Sequence, residues 1–317
     1  MTTKLIVPLR DVRLAVRTAG EGPAVVCCHG FPDLAYGWRH VLPALATAGF
    51  RALAPDQRGY GETGGPDAVD AYDIHHLTGD LVGLLDALGI GRAVFMGHDW
   101  GGTVAWMTAL LHPTRVAGVI GVNTPHYPRP SSAPIARLRE MFGDTHYMVA
   151  AQRPGELDRA LAADVRRTFT QLVRTGVPPD EALSGWLGAE GRLRTLAEVA
   201  VGPPMPGAPL LSETDLSVYV DAFTRTGFTG GLNWYRNLDR NWATTPHLTG
   251  APITAPALMI TAEWDTLLPP AAADRMRSLV PDLETVMLAR CGHWTPQERP
   301  TELAELVTDW LRRRFAP

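Results

Sequence analysis

Gly97-His98-Asp99-Trp100-Gly101-Gly102 stands between an apolar run, Ala93 to Met96, and a helical stretch from Thr103 to Leu111. This is the strand–turn–helix setting of a Gly-x-Ser-x-Gly nucleophile elbow, with aspartate in the serine position. A chain that turns sharply from strand to helix needs small residues beside its strained centre. Gly97 and Gly101 supply them, two residues to either side of Asp99. The alternative is an ordinary glycine-rich turn whose aspartate caps the helix. The residue type constrains the chemistry. A carboxylate with a pKa of about 4 is ionised at neutral pH and needs no base to activate it. Attack on an acyl carbon would give a labile anhydride; attack on an sp³ carbon with a leaving group gives an ester. Asp99 therefore points toward epoxides or alkyl halides and away from ester substrates.

Such an ester must then be hydrolysed. His293, in Cys291-Gly292-His293-Trp294, follows the last strand pattern, and a neutral imidazole is a competent base for water. Glu263 and Asp265 both follow the preceding strand and could orient it. The order nucleophile, acid, histidine is that of the α/β-hydrolase layout. His29-Gly30-Phe31-Pro32 follows another strand pattern. The backbone amides of Phe31 and Trp100 are candidates for an oxyanion hole, with His29 bracing the loop.

Elements must place these residues at one end of a sheet. Strand candidates are Ala24 to Cys28, Arg51 to Pro55, Ala93 to Gly97, Val116 to Val122, Ala257 to Thr261 and Glu284 to Leu288. The first four are nearly continuous apolar runs, as in a parallel sheet buried on both faces. Between them Ile74, Leu77, Leu81, Leu84, Leu85 and Leu88 form one helical face, with Asp73 as N-cap and Gly89 as stop. A final helix is expected from Thr301 to Arg314. The fold class is α/β, a mostly parallel doubly wound sheet. From His126 to Pro246 the pattern turns helical and proline-dotted. Leu157, Leu161, Val165, Phe169 and Leu172 make one stripe there, and Pro178-Pro179 and Val201 to Pro209 read as turns. The expected organisation is a core of residues 1–125 and 247–317, with a helical cap of residues 126–246 inserted.

A chain of 317 residues with 45% hydrophobic residues and a charge of −4 has a sizeable core and no basic run for nucleic acid. Arg312-Arg313-Arg314 suits the last turn of a helix. Cys27 and Cys28 point to opposite faces of a strand and cannot pair, and with Cys291 they suggest a reducing compartment. With no signal-peptide pattern and no apolar run of membrane length, a cytoplasmic location is expected. No pair of histidines has zinc spacing, and neither metal nor cofactor is expected.

With Trp38-Arg39, Asp56-x-Arg58-Gly59-Tyr60-Gly61 and Asn233-Trp234-Tyr235-Arg236-Asn237 added to the motifs above, the sequence resembles the soluble epoxide hydrolase family over nearly its whole length. The resemblance implies hydrolysis of an epoxide to a vicinal diol, and it favours Asp265 as the orienting acid. It implies two cap tyrosines that bind the epoxide oxygen, which match Tyr235 and Tyr147, with Tyr127 and Tyr219 as competitors. A phenol with a pKa of about 10 donates at neutral pH to a developing alkoxide. By position, Phe31, Pro32, Trp38, Trp100, Met148, Ala151, Leu267 and Trp294 would line an apolar pocket for a small lipophilic epoxide. Ala150-Ala151 depart from the bulky aromatics common there and would enlarge the pocket. The expected assembly is a monomer or homodimer.

Two other readings remain. A haloalkane dehalogenase shares the aspartate but needs a second side-chain N–H donor for halide, and the Phe31 side chain has none. A non-catalytic ligand receptor on the same fold would dispense with part of the triad, and this chain retains all of it.

Overall fold

The computed structural model describes residues 2–187 and 192–315. Eight strands form one sheet: β1 (Thr3–Pro8), β2 (Arg13–Ala19), β3 (Ala24–Cys28), β4 (Arg51–Pro55), β5 (Ala93–His98), β6 (Val116–Val122), β7 (Ala257–Ala262) and β8 (Leu283–Leu288). Their order is β1-β2-β4-β3-β5-β6-β7-β8. From β4 to β8 every neighbour is parallel, whereas β1 pairs antiparallel with β2 and β2 with β4.

The central strands β3, β5 and β7 are buried along their whole length, which is why they read as unbroken apolar runs. Alternate residues serve two cores. Val25, Cys27, Val94 and Met96 pack on one face with the helices Val41–Thr47 and Pro300–Phe315. Val26, Cys28 and Phe95 pack on the other with Ile74–Ala87 and Trp100–Leu111. Each fully buried Leu or Val contributes roughly 1.5–3 kcal/mol. Asp73 caps Ile74–Ala87 by accepting from the His76 amide at 3.0 Å, and Gly89 beyond its end has φ 66°. The three cysteines are buried and unpaired. The terminal arginines reach acids on β8 and nearby, Arg313 with Glu284 at 2.9 Å and Arg314 with Asp282 at 2.8 Å.

The β1–β2 hairpin was not expected from the sequence. It is an edge element, and β1 buries only Val7; its one apolar run, Leu5 to Val7, is short. Two further departures lie between β6 and β7, where the chain forms helices and no strand among the described residues. The stripe from Leu157 to Leu172 is split into Glu156–Ala162 and Val165–Leu172, because Asp164 leaves helical geometry and caps the second helix through the Arg167 amide at 2.9 Å. Pro179 does not mark a loop; it opens the helix Pro179–Trp186, where a missing N–H costs nothing.

This helical segment is bound to the sheet domain by buried polar contacts. Trp234 donates to the Arg58 carbonyl at 3.1 Å and Tyr219 to Asp33 Oδ1 at 2.7 Å. Asp215 accepts from Tyr36 at 2.8 Å and pairs with Arg39 at 2.9 Å. No helix among the described residues is long and apolar enough to cross a membrane.

Candidate active site

The turn after β5 is as tight as its glycines suggest. Asp99 has φ 52°, a left-handed conformation that costs a non-glycine residue about 1–3 kcal/mol. The helix begins immediately at Trp100, three residues earlier than the sequence pattern suggested. The Asp99 carbonyl accepts from the Gly102 amide at 2.9 Å and from Thr124 Oγ1 at 2.8 Å, which holds the turn. A Cβ on Gly97 would lie 2.0 Å from the Gly101 carbonyl, and one on Gly101 would lie 2.0 Å from the Cys28 carbonyl. Gly101→Ala is therefore expected to cost about 3 kcal/mol or more, read as a lower urea midpoint. An unchanged midpoint would show that the turn relaxes freely.

Asp99 projects over the carboxyl ends of β3, β7 and β8. Its Oδ1 accepts from the Phe31 amide at 2.7 Å. His293 Nε2 lies 3.8 Å from Asp99 Oδ2, and His293 Nδ1 lies 3.0 Å from Asp265 Oδ2. The structure thus brings Asp99, His293 and Asp265 into one line. Glu263 is exposed and accepts from the Arg290 amide at 2.7 Å, outside the site. Asp265 is held on all sides: Oδ1 accepts from the amides of Leu267 (2.9 Å) and Leu268 (3.0 Å), and Oδ2 from Asn123 at 2.8 Å.

Burial and charge set the protonation states. Burial pushes the Asp99 carboxyl upward, against the pull of His293 and of the Phe31 and Trp100 amides. Burial also works against the charged form of Asp265, but His293 and its donors overcome it and hold that carboxyl low. For His293 burial pulls downward, yet Asp265 foremost and Asp99 after it raise the imidazole to about 9. His293 thus stays protonated at neutral pH beside Asp265, which is held low, and Asp99, which burial pushes up.

Opposite stand the two tyrosines. Tyr147 begins the helix Tyr147–Ala150 and Tyr235 lies in Thr229–Arg236, with ring centroids 5.6 Å apart. The two helices are laced together. Gln152 donates to the Tyr235 carbonyl at 2.9 Å, Arg236 donates to the Ala151 carbonyl at 2.9 Å, and Arg236 also forms a buried pair with Asp158 at 2.6 Å. Burial first, and the Asp99 charge second, push both phenols far above their usual range, so both stay protonated as donors. Tyr219 is buried away from them on Asp33, and Tyr127 is half exposed. His29 does brace its loop, its Nε2 accepting from the Gln57 amide at 3.0 Å.

A cavity of roughly 160 Å³ opens between nucleophile and tyrosines. Phe31, Pro32, Leu267 and Trp294 line it, as expected by position, but Trp38, Met148, Ala151 and the Trp100 side chain do not. Trp38 packs in the core on the opposite face of the sheet. Trp100 stacks edge-on against Tyr235 at 5.1 Å. Ala151 is completely buried with its carbonyl on Arg236, so its small side chain does not enlarge the cavity.

Several supporting residues escaped sequence reasoning. Asn123 has φ 64° at the end of β6 and binds both Asp265 and the Gly292 carbonyl. An asparagine ending a strand was its signal, since asparagine tolerates that conformation. Glu298 accepts from the amides of Gly292 (2.9 Å) and Gly176 (3.1 Å), joining the His293 loop to the helical segment. The His98 ring lies tilted against that of His293, centroids 4.9 Å apart, and donates to the His293 carbonyl at 2.7 Å; burial, then the neighbouring imidazolium, lower it to about 3 and keep it neutral. Asp33 is buried, which raises it to about 7 despite its bond from Tyr219. Among the described residues no cluster of three or more potential ligands is placed to hold a metal.

Residues 23–300 match the family model of the alpha/beta hydrolase fold. Epoxide hydrolase A of Mycobacterium tuberculosis is 44% identical, over 98% of this chain and 97% of its own. Bifunctional epoxide hydrolase 2 of Sus scrofa is 40% identical over 95% of this chain, which spans 53% of that longer protein. The crystal structure of epoxide hydrolase A from Mycobacterium thermoresistibile superposes with a TM-score of 0.90 at 42% identity, covering 98% of each chain. A parallel sheet with an aspartate elbow, a histidine and acid behind it and this degree of likeness lead to one placement: the chain belongs to the epoxide hydrolases of the α/β-hydrolase fold.

Proposed function

We propose that this protein hydrolyses a small lipophilic epoxide to a vicinal diol through an alkyl-enzyme ester on Asp99. The observation that carries this reading is the opposition of Asp99 and the paired tyrosines across one cavity, with His293 within 3.8 Å of the carboxylate. An epoxide seated there has a nucleophile on carbon and donors on oxygen. Asp99 attacks a ring carbon, the C–O bond breaks with its electron pair on oxygen, and Tyr147 or Tyr235 gives that oxygen a proton. The ester is neutral, so one of the charges that raised His293 is gone. The imidazolium loses its proton, by way of water, to the tyrosinate.

His293 is then a free base. It takes a proton from water, and the hydroxide attacks the Asp99 carboxyl carbon. The Phe31 and Trp100 amides are placed to hold the oxyanion. Collapse expels the second diol oxygen, which takes the proton from His293. The regenerated Asp99 acid passes its proton back to the imidazole. Epoxide and water are consumed and diol is formed, with no redox partner. Residues 126–246 act as the cap that supplies the tyrosines and excludes water.

The test is diol formation by purified protein from aliphatic and aromatic epoxides, with chloroalkanes run in parallel. Diol from epoxides supports the reading; halide release without diol would overturn it. Tyr147→Phe or Tyr235→Phe alone should lower kcat/KM roughly 10- to 100-fold, since one hydroxyl still donates. The double variant should lose roughly 1,000-fold or more, as for loss of an oxyanion donor set. Initial-rate assays showing full activity in the double variant would remove the tyrosines from the reaction.

A further inference from the structure

The cavity lies to one side of the nucleophile. From Asp99 and the tyrosines its lining runs through Leu172, Val177, Ala182, Trp186, Met205 and Pro206 of the helical segment. The other flank is filled. Trp100 packs edge-on against Trp234 at 5.9 Å and Tyr235 at 5.1 Å, and Val149 and Ala151 beyond Tyr147 are buried; none of them lines the cavity.

The far wall is also held. Gln171 donates to the carbonyls of Gly202 (2.9 Å) and Pro203 (3.2 Å) and accepts from the Met205 amide at 3.0 Å. Arg174 donates to the carbonyls of Pro206 (3.2 Å) and Gly207 (3.1 Å). Five bonds from one short stretch pin the segment that carries Met205, so the cavity does not lengthen by a side-chain rotation alone.

We infer that the substrates are terminal, singly substituted epoxides whose one apolar arm lies along the Met205 side. This rests on the proposed chemistry at Asp99. A ring held between a nucleophile below and two phenols above has both carbons fixed, and substituents on the two carbons diverge to opposite flanks. Among the described residues only one flank of this cavity has room. The cavity volume of roughly 160 Å³ is close to the void of about 150 Å³ that takes up benzene, so the arm is the size of a phenyl ring or a short alkyl chain. A second substituent would have to displace Trp100 or Ala151 from close packing. Misfit of even one methylene is worth roughly 10- to 200-fold in kcat/KM.

The experiment compares three isomeric hexene oxides of equal carbon number, with the ring at the chain end, one carbon in, and at the centre. The expected result is a fall in kcat/KM of about 10-fold or more on leaving the chain end. A partner measurement uses Met205→Trp, which should raise KM for the terminal hexene oxide much more than for propylene oxide, whose arm is a single methyl. Equal kcat/KM for the three isomers would overturn the one-arm assignment and leave epoxide hydrolysis standing. Diol from none of them, with no covalent adduct on the His293→Gln variant, would overturn both.

Discussion

Replacing His293 with glutamine should convert the enzyme into a stoichiometric reagent. On the proposed route Asp99 needs no base for its attack, because a carboxylate is itself the nucleophile and this one faces the cavity. Alkylation therefore proceeds, and what is lost is the base for water. General-base catalysis is worth roughly 100- to 10,000-fold, so the ester should outlive the assay and appear as one substrate mass per chain on a peptide containing Asp99. No adduct after exposure to a substrate that the wild type consumes would remove His293 from the second step. The same logic fixes the sign of a pH effect. His293 is raised to about 9 in the resting site partly by the Asp99 charge. On the proposed route the ester lacks that charge, so the imidazole that serves as base titrates lower than in the resting site. The rate of ester hydrolysis in single-turnover experiments should rise with pH and level off once this group is neutral. A rate that kept rising through pH 9 would mean that alkylation does not release the proton.

Asp99→Asn should abolish turnover more completely than any other single change, on the order of a million-fold, as for loss of the nucleophile in a covalent mechanism. An amide keeps the shape and the acceptor oxygen but is not a nucleophile toward an epoxide carbon. It also loses its negative charge, so the Phe31 amide and His293 face a neutral group. Asp99→Ala serves as control, because an alanine cannot regain a carboxylate by deamidation. Diol formation by Asp99→Ala within about 100-fold of wild type would show direct attack by water and sink the ester route.

The sequence made the candidate site legible because its residues sit on sharp local patterns. Asp99 is marked by Gly97 and Gly101, which only a strand-to-helix turn of this tightness requires. His293 and Asp265 each follow a strand, and the fold delivers strand ends to one place. What the sequence withheld has two physical causes. Edge strands such as β1 bury one side chain in six, so only a short apolar run, here Leu5 to Val7, announces them. Pocket walls depend on how helices stack, which local pattern does not encode. Met148 lies in the tyrosine helix and Ala151 ends it, yet the ties from Gln152 and Arg236 turn that stretch into packing. Met205 and Pro206 came from a stretch legible only as loop, and it took the clamp from Gln171 and Arg174 to make it a wall.

The helical insertion leaves β6 and re-enters at β7, two strands that pair side by side. On topology alone it could be cut out and the sheet would still close. Its core says otherwise. Phe169, Phe223 and Leu161 of the insertion belong to the same buried cluster as Phe31, Phe95 and Trp106 of the sheet domain. The boundary between the two parts is crossed by oil as well as by hydrogen bonds. The two parts share one core, so calorimetry should show a single melting transition, and a chain lacking the insertion would carry a bare apolar face into solution.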